Sequence, residues 1–272
     1  MSAHPFKPAS FLYEESGPIA RITLNRPDVL NALTFDTYTQ LRDLFAGLKD
    51  RRELRVVILT GAGRAFCSGG DVKEIIGRLQ GRPDEELLSF TRLTCETVLR
   101  MREAPQLILA SLNGVTAGAG AALALASDFR IASDAARIAF LFVKVGLCGA
   151  DMGVAHFLTR FIGIGRATEL MMTGEFIDAR TAEQWGLVNR VVPAADLESE
   201  TRSWAETLAA GPDPGLRMTK EILNQTAGFN LPEALDLEAR AQALCMKSPD
   251  FQEAYRAFLE KRRPDFARSR KR

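Results

Sequence analysis

Apolar positions along this chain follow two rhythms that alternate over most of its length. Short apolar runs bounded by Gly, Asn or Pro predict strands at residues 19–24, 56–60, 107–112, 129–132 and 187–192. Between them, apolar residues recurring every three to four positions predict helices at 35–49, 87–102, 119–126, 153–161 and 166–173. Strand and helix in alternation imply an α/β fold with much parallel pairing. After Pro193 the rhythm is almost wholly helical from 197 to 259, broken at 211–214, 228–232 and 248–249. The pattern divides the chain into an α/β core, residues 1–196, and a C-terminal helical subdomain, residues 197–272. No internal repeat is clear enough to count.

Composition narrows the chemistry. A chain of 272 residues, 46% of them hydrophobic, builds a full core without disulfides or a structural metal. The 35 basic and 34 acidic residues leave a net charge of +1, which argues against a dedicated nucleic-acid binder. His4, His156, Cys67, Cys95, Cys148 and Cys245 are too few and too scattered for a zinc site. The cysteines read as small apolar residues of a reducing, cytoplasmic compartment. No uncharged apolar run approaches membrane-spanning length, and the N-terminus has no signal-like apolar stretch. Any catalysis must draw on few titratable side chains and much backbone. The end of the chain is the local exception, with Lys261, Arg262, Arg263, Arg268, Arg270, Lys271 and Arg272 against Asp265 alone. A frayed terminus, a phosphate contact and RNA binding are all open readings of it.

Two glycine-rich segments each follow a predicted strand. They are Thr60-Gly-Ala-Gly-Arg-Ala-Phe-Cys-Ser-Gly-Gly-Asp71 and Asn113-Gly-Val-Thr-Ala-Gly-Ala-Gly-Ala-Ala122. A dinucleotide fingerprint fails in both, because Phe66 and Leu123 stand where a third glycine is needed for close packing. Neither segment is a phosphate-binding P-loop, and Ser68 lacks the preceding glycine of a nucleophile elbow. Both can expose backbone N–H groups, and two such groups aimed at one point make an oxyanion hole. Two tight turns are the plainer alternative.

These residues also carry a resemblance. Leu24-Asn-Arg-Pro-Asp-Val-Leu-Asn-Ala-Leu33, Gly63-Arg-Ala-Phe-Cys-Ser-Gly-Gly-Asp-Val72 and the Asn113 segment are similar to the crotonase (enoyl-CoA hydratase/isomerase) superfamily. So are Leu170-Met-Met-Thr-Gly-Glu175, Ala182-Glu-Gln-Trp-Gly-Leu-Val-Asn-Arg-Val-Val192 and Ala257-Phe-Leu-Glu-Lys-Arg262, in the same order. The resemblance implies a crotonase-like spiral of ββα units with a C-terminal helical trimerisation subdomain. It implies an acyl-CoA thioester substrate, no separate cofactor, and a homotrimer or a hexamer of paired trimers. By resemblance, the Ser68 and Ala119 amides bind the thioester oxygen. Arg26, Arg64, Phe66, Gly69, Gly70 and Asp71 line the CoA cleft, and Phe258 and Lys261 reach the nucleotide end from a neighbouring subunit.

The family's hydratases use two glutamates, and the matching positions here hold Ala122 and Phe142. Addition of water normally needs one group to activate it and another to deliver a proton, so two-acid hydration is disfavoured. Asp151 occupies the segment in which single-aspartate isomerases of the family, resembling the phenylacetate-pathway ring isomerase, keep their catalytic acid. It also precedes a predicted helix, where aspartate is a favoured N-cap. As a catalyst it would take a proton from the acyl chain and return it elsewhere, which asks for an apolar wall that raises its pKa. Ile75, Ala122, Phe142, Val143 and Cys148 are expected to line the acyl pocket. Asp71, with Glu74 three residues on, reads as a helix start. Alternatives are a hydratase using Asp151 and water, an aryl-CoA dehalogenase, and a non-catalytic CoA- or RNA-binding scaffold. The dehalogenase wants an aromatic residue where Val143 stands and a histidine that the sequence does not supply between His4 and His156.

Overall fold

A computed structural model describes residues 8–269, so His4, Arg270, Lys271 and Arg272 lie outside the described residues. Ten strands form two sheets. The larger is ordered β1 (Phe11–Ser16), β2 (Ile19–Leu24), β3 (Val56–Gly61), β5 (Leu107–Leu112), β7 (Phe129–Ser133), β10 (Arg190–Val192). All its pairings are parallel except the β1/β2 hairpin. The smaller is ordered β4 (Ala65–Cys67), β6 (Val115–Ala117), β8 (Arg137–Ala139), β9 (Ile177–Asp178), with only β9 antiparallel.

Chain order makes the architecture plain. β3 and β4, β5 and β6, and β7 and β8 are successive pairs in which the first strand joins the large sheet and the second the small one. Helical segments follow each pair, among them Asp84–Glu103, Ala119–Ala126 and Val154–Ile162. This is the expected spiral of ββα units. The sequence hides the repeat because its second strands are only three residues long, too short to show a period.

Burial explains which segments form the spiral's axis. Every residue of β5 is buried, as is every residue of the Ala119–Ala126 helix. A helix apolar on all sides belongs inside. Gly120 lets it approach β4, because a Cβ there would lie 2.4 Å from the Cys67 carbonyl oxygen. In β3, Val57 and Leu59 face one apolar cluster while Val56 and Ile58 face another, as the strand period requires. The second cluster is closed by Leu197, Ala205 and Ala209 of the Leu197–Ala210 helix. The expected boundary after residue 196 is therefore a change of secondary structure rather than a gap in packing. The next helix, Asp213–Gln225, is held by Lys220 Nζ, buried and 2.9 Å from Asp128 Oδ2, which itself pairs with Arg102 through Oδ1.

Sequence and structure also part at β1 and at the last strand of the large sheet. β1 alternates poorly and is mostly exposed, an edge strand carrying Glu14 and Glu15, so its pattern predicts nothing. The strand expected over 187–192 shrinks to Arg190–Val192, because Leu187 and Val188 are buried in a turn whose amides donate to Ala182 O. Among the described residues no helix is long and apolar enough to cross a membrane.

Candidate active site

Two asparagines hold the first glycine-rich loop. Asn31, 1% exposed, donates from Nδ2 to Ala62 O and Ala65 O at 2.9 and 2.8 Å. Asn113 donates to Gly63 O and Ala65 O at 2.8 and 3.1 Å. Buried amides with all their partners fix a loop far more firmly than apolar contact alone. The asparagines of both sequence motifs thus act on the same stretch of backbone.

Tracing each amide of that loop corrects the assignment of the oxygen-binding donor. The Ser68 N–H donates to Leu30 O at 2.9 Å, so it is not available to a ligand. Gly69 N–H faces Cys67 Sγ at 3.4 Å, and Asp71 N–H donates to Leu33 O at 2.8 Å. Gly70 is different. In the parallel bridge between Leu33 and Gly70, Leu33 bonds to the residues on either side of Gly70. The Gly70 N–H therefore points away from Leu33, with no acceptor among the described residues. A Cβ built on the adjoining Gly69 would lie 3.5 Å from Ala119 N. Ala119 is the first residue of its helix, and its N–H is one of the orphan donors every helix start carries. Gly70 and Ala119, from different loops, thus each leave an amide free. No motif spacing distinguishes Gly70 from Ser68; only the bridge geometry does.

The helix after Asp151 begins at Val154 with Gly153 as its N-cap, so Asp151 is not the cap that its position in the sequence allows. Its Oδ1 accepts from the N–H of the adjoining Met152 at 2.8 Å. Met152 and Gly153 both have positive φ, 48° and 80°, an uncommon conformation for a buried methionine that turns the chain sharply here. Burial pushes the Asp151 carboxyl above the ordinary carboxylate range, with the Met152 N–H opposing it weakly.

Tyr38, which the helical pattern of 35–49 gives no reason to single out, borders the same space. Its hydroxyl oxygen lies 3.8 Å from the position a Gly70 Cβ would take. The Asp151 charge contributes to raising its pKa. Tyr38, Ile75, Ala119, Ala122, Phe142 and Met152 belong to one large apolar cluster. Val143 is half-buried.

Other expected site residues lie elsewhere. Phe66 is 0% exposed, within the core. Cys148 is exposed, its sulfur accepting from Ala150 N, and it is not part of the apolar cluster. Arg26 is engaged structurally: it donates to Ala32 O at 2.6 Å and pairs with Asp71 at 3.0 Å. Asp71 caps the turn Val72–Ile76, accepting from Lys73 N and Glu74 N. The Glu74 N–H, then the Arg26 guanidinium, hold its carboxyl below the ordinary range. Arg64, Phe258 and Lys261 are exposed. His156 is exposed, edge-on to Phe157. Among the described residues no group of three or more His, Cys, Asp or Glu could hold a metal ion. A cavity of about 960 Å³ opens between the Asp84–Glu103, Val154–Ile162 and Asp213–Gln225 helices. Met152 and Gly153 line it, but Gly70, Ala119 and Asp151 do not.

The ββα spiral, the free Gly70 and Ala119 amides and the half-buried Asp151 fit a class of thioester enzyme. Residues 14–269 match the family described as enoyl-CoA hydratase/isomerase, and the chain belongs to it. It is 39% identical over 264 residues to a "Probable enoyl-CoA hydratase" of Rhodobacter capsulatus, covering 93% of this chain and 96% of that one. It is 35% identical over 248 residues to the 1,2-epoxyphenylacetyl-CoA isomerase of Escherichia coli, covering 91% and 94%. A solved structure of a Streptomyces coelicolor protein, provisionally assigned as an enoyl-CoA hydratase, superposes with a TM-score of 0.94 at 44% identity. That match covers 98% of this chain and 96% of the other. The chain is an enzyme of acyl-CoA chemistry.

Proposed function

We propose that this enzyme isomerises an unsaturated acyl-CoA by moving one proton through Asp151. The carboxylate removes a proton beside or vinylogous to the thioester carbonyl, and the carboxylic acid so formed returns it at another carbon of the same allylic system. The Gly70 and Ala119 amides hold the dienolate oxygen between the two steps. Removing one donor from such a hole typically costs roughly 3–4 kcal/mol of transition-state stabilisation. The reaction asks for no metal, nucleotide or redox cofactor beyond the CoA of the substrate.

The observation that carries this reading is the single acid. Asp151 is half-buried, its pKa is raised, and its charge is felt by the same Tyr38 that borders Gly70. The positions of the hydratase glutamates are filled by Ala122 and Phe142, 0% and 7% exposed in the apolar cluster. A raised carboxylate pKa suits a group that must both take and give a proton. Hydratase names among the relatives support a second reading, in which Asp151 and one water add across the double bond.

Mass separates the two: an isomerase leaves the product mass unchanged in ordinary water and exchanges hydrogen in deuterated water, whereas a hydratase adds one water. Asp151→Asn should lower turnover by about 10²–10⁴-fold, the usual contribution of a general acid–base group, with CoA-ester affinity nearly intact. Turnover surviving that change would sink the mechanism.

A further inference from the structure

Tyr38 is a buried polar group that the proton transfer does not use. The residue is only 3% exposed, and its hydroxyl meets no hydrogen-bond partner among the described residues, yet it is not among the side-chain atoms shut off from solvent, so it keeps a small opening to water. Packing fixes it instead. The ring meets Phe90 edge-on at 5.9 Å and 80°, and the Tyr38 carbonyl accepts from Thr97 Oγ1 at 3.3 Å. The hydroxyl and Ile75 both stand 3.8 Å from the Cβ position of Gly70, so it borders the space in front of that residue. Burial first, then Cys67 and Asp151, push its pKa far up, so at neutral pH it remains a neutral donor.

Water can pair the hydroxyl through that opening, but a hydroxyl left unpaired once a ligand displaces the water is costly, and phenylalanine would fill the same volume without that cost. An all-hydrocarbon acyl group would expel any water and still leave the hydroxyl unpaired. An acyl group carrying an oxygen would pair it. We propose that Tyr38 is a specificity residue whose hydroxyl hydrogen-bonds an oxygen on the acyl part of the substrate. The enzyme then prefers hydroxy-, oxo- or ring-oxygen acyl-CoA esters over plain hydrocarbon ones. This rests on the acyl-CoA site described above. It does not depend on which carbon Asp151 serves.

The test uses saturated esters, which cannot be isomerised, and reads binding by calorimetry on the full-length protein. Hexanoyl-CoA and cyclohexylacetyl-CoA are compared with hydroxyhexanoyl-CoA, oxohexanoyl-CoA and tetrahydropyranylacetyl-CoA. The wild type should bind at least one oxygenated ester ten- to a hundredfold more tightly than its hydrocarbon partner. Tyr38→Phe should erase that difference, chiefly by weakening the oxygenated ester, while the melting temperature stays within a few degrees. Equal loss for both classes would assign the hydroxyl to the thioester oxygen or to packing, and overturn the proposal. No preference in the wild type would overturn it as well. Turnover of Asp151→Asn tests the isomerase reading separately, since these binding measurements involve no proton transfer.

Discussion

At the scale of single residues, the site depends on what burial does to Asp151. Its folded-state pKa lies above its unfolded value, because desolvation opposes the charged form. The native state therefore holds this proton more tightly than the unfolded chain does. The resulting stability is fully present below the unfolded pKa and is lost as pH rises through the folded one. By neutral pH that contribution is diminished. Asp151→Asn, which carries no charge, should melt higher than the wild type at pH 7, with the gap closing as pH falls toward about 4, the ordinary aspartate value. Calorimetry across that range checks it, and equal melting at every pH would mean that the carboxylate is solvated. The same raised pKa places the acid limb of the rate profile above that of an exposed carboxylate. Sequence position alone favoured Asp151 as an N-cap, and only the resemblance favoured a catalyst; the cap at Gly153 removed the first reading.

Elements decide where the amides point. Ala119 opens a short, wholly buried helix, so its N–H is left over by helix geometry rather than by any side chain. Proline is well tolerated at a first helical position, where the missing N–H breaks no intrahelical bond. Ala119→Pro should therefore leave the helix folded while placing a ring carbon where the donor was. Turnover is expected to fall by about 10²–10³-fold, with a melting temperature close to the wild type. Activity unchanged in a folded variant would remove Ala119 from the site. The strands that aim these amides were the part the pattern read least well. β4, β6 and β8 are three residues each, and their pairing is set by neighbours from distant sequence.

For the whole molecule, the C-terminal helices remain open. Leu231, Leu235, Leu244, Phe251, Tyr255 and Leu259 are exposed along Leu231–Met246 and Pro249–Leu259, and Phe258 is 79% exposed. An apolar surface of this extent on a folded chain calls for a partner surface, and the homotrimer or hexamer implied by resemblance would supply it. On that expectation, Phe258→Glu should lower the sedimentation mass and weaken CoA-ester binding at the same time. A loss of affinity with the assembly intact would place Phe258 at the CoA alone. Retention of both would detach it from either role.

The sequence by itself determined the alternation of strand and helix, the helical C-terminal segment, and the scarcity of histidine and cysteine. These follow from local periodicity and composition, which need no knowledge of distant neighbours. Only the tertiary structure decided that Gly70 rather than Ser68 offers the free amide, that Phe66 is core, and that Tyr38 faces the site. Each of those depends on which groups meet across more than thirty positions of chain: Leu30 against Ser68, Leu33 against Gly70, and Tyr38 against both Gly70 and Asp151. A hydrogen bond already made elsewhere removes a donor from chemistry, and no local pattern records where that bond goes.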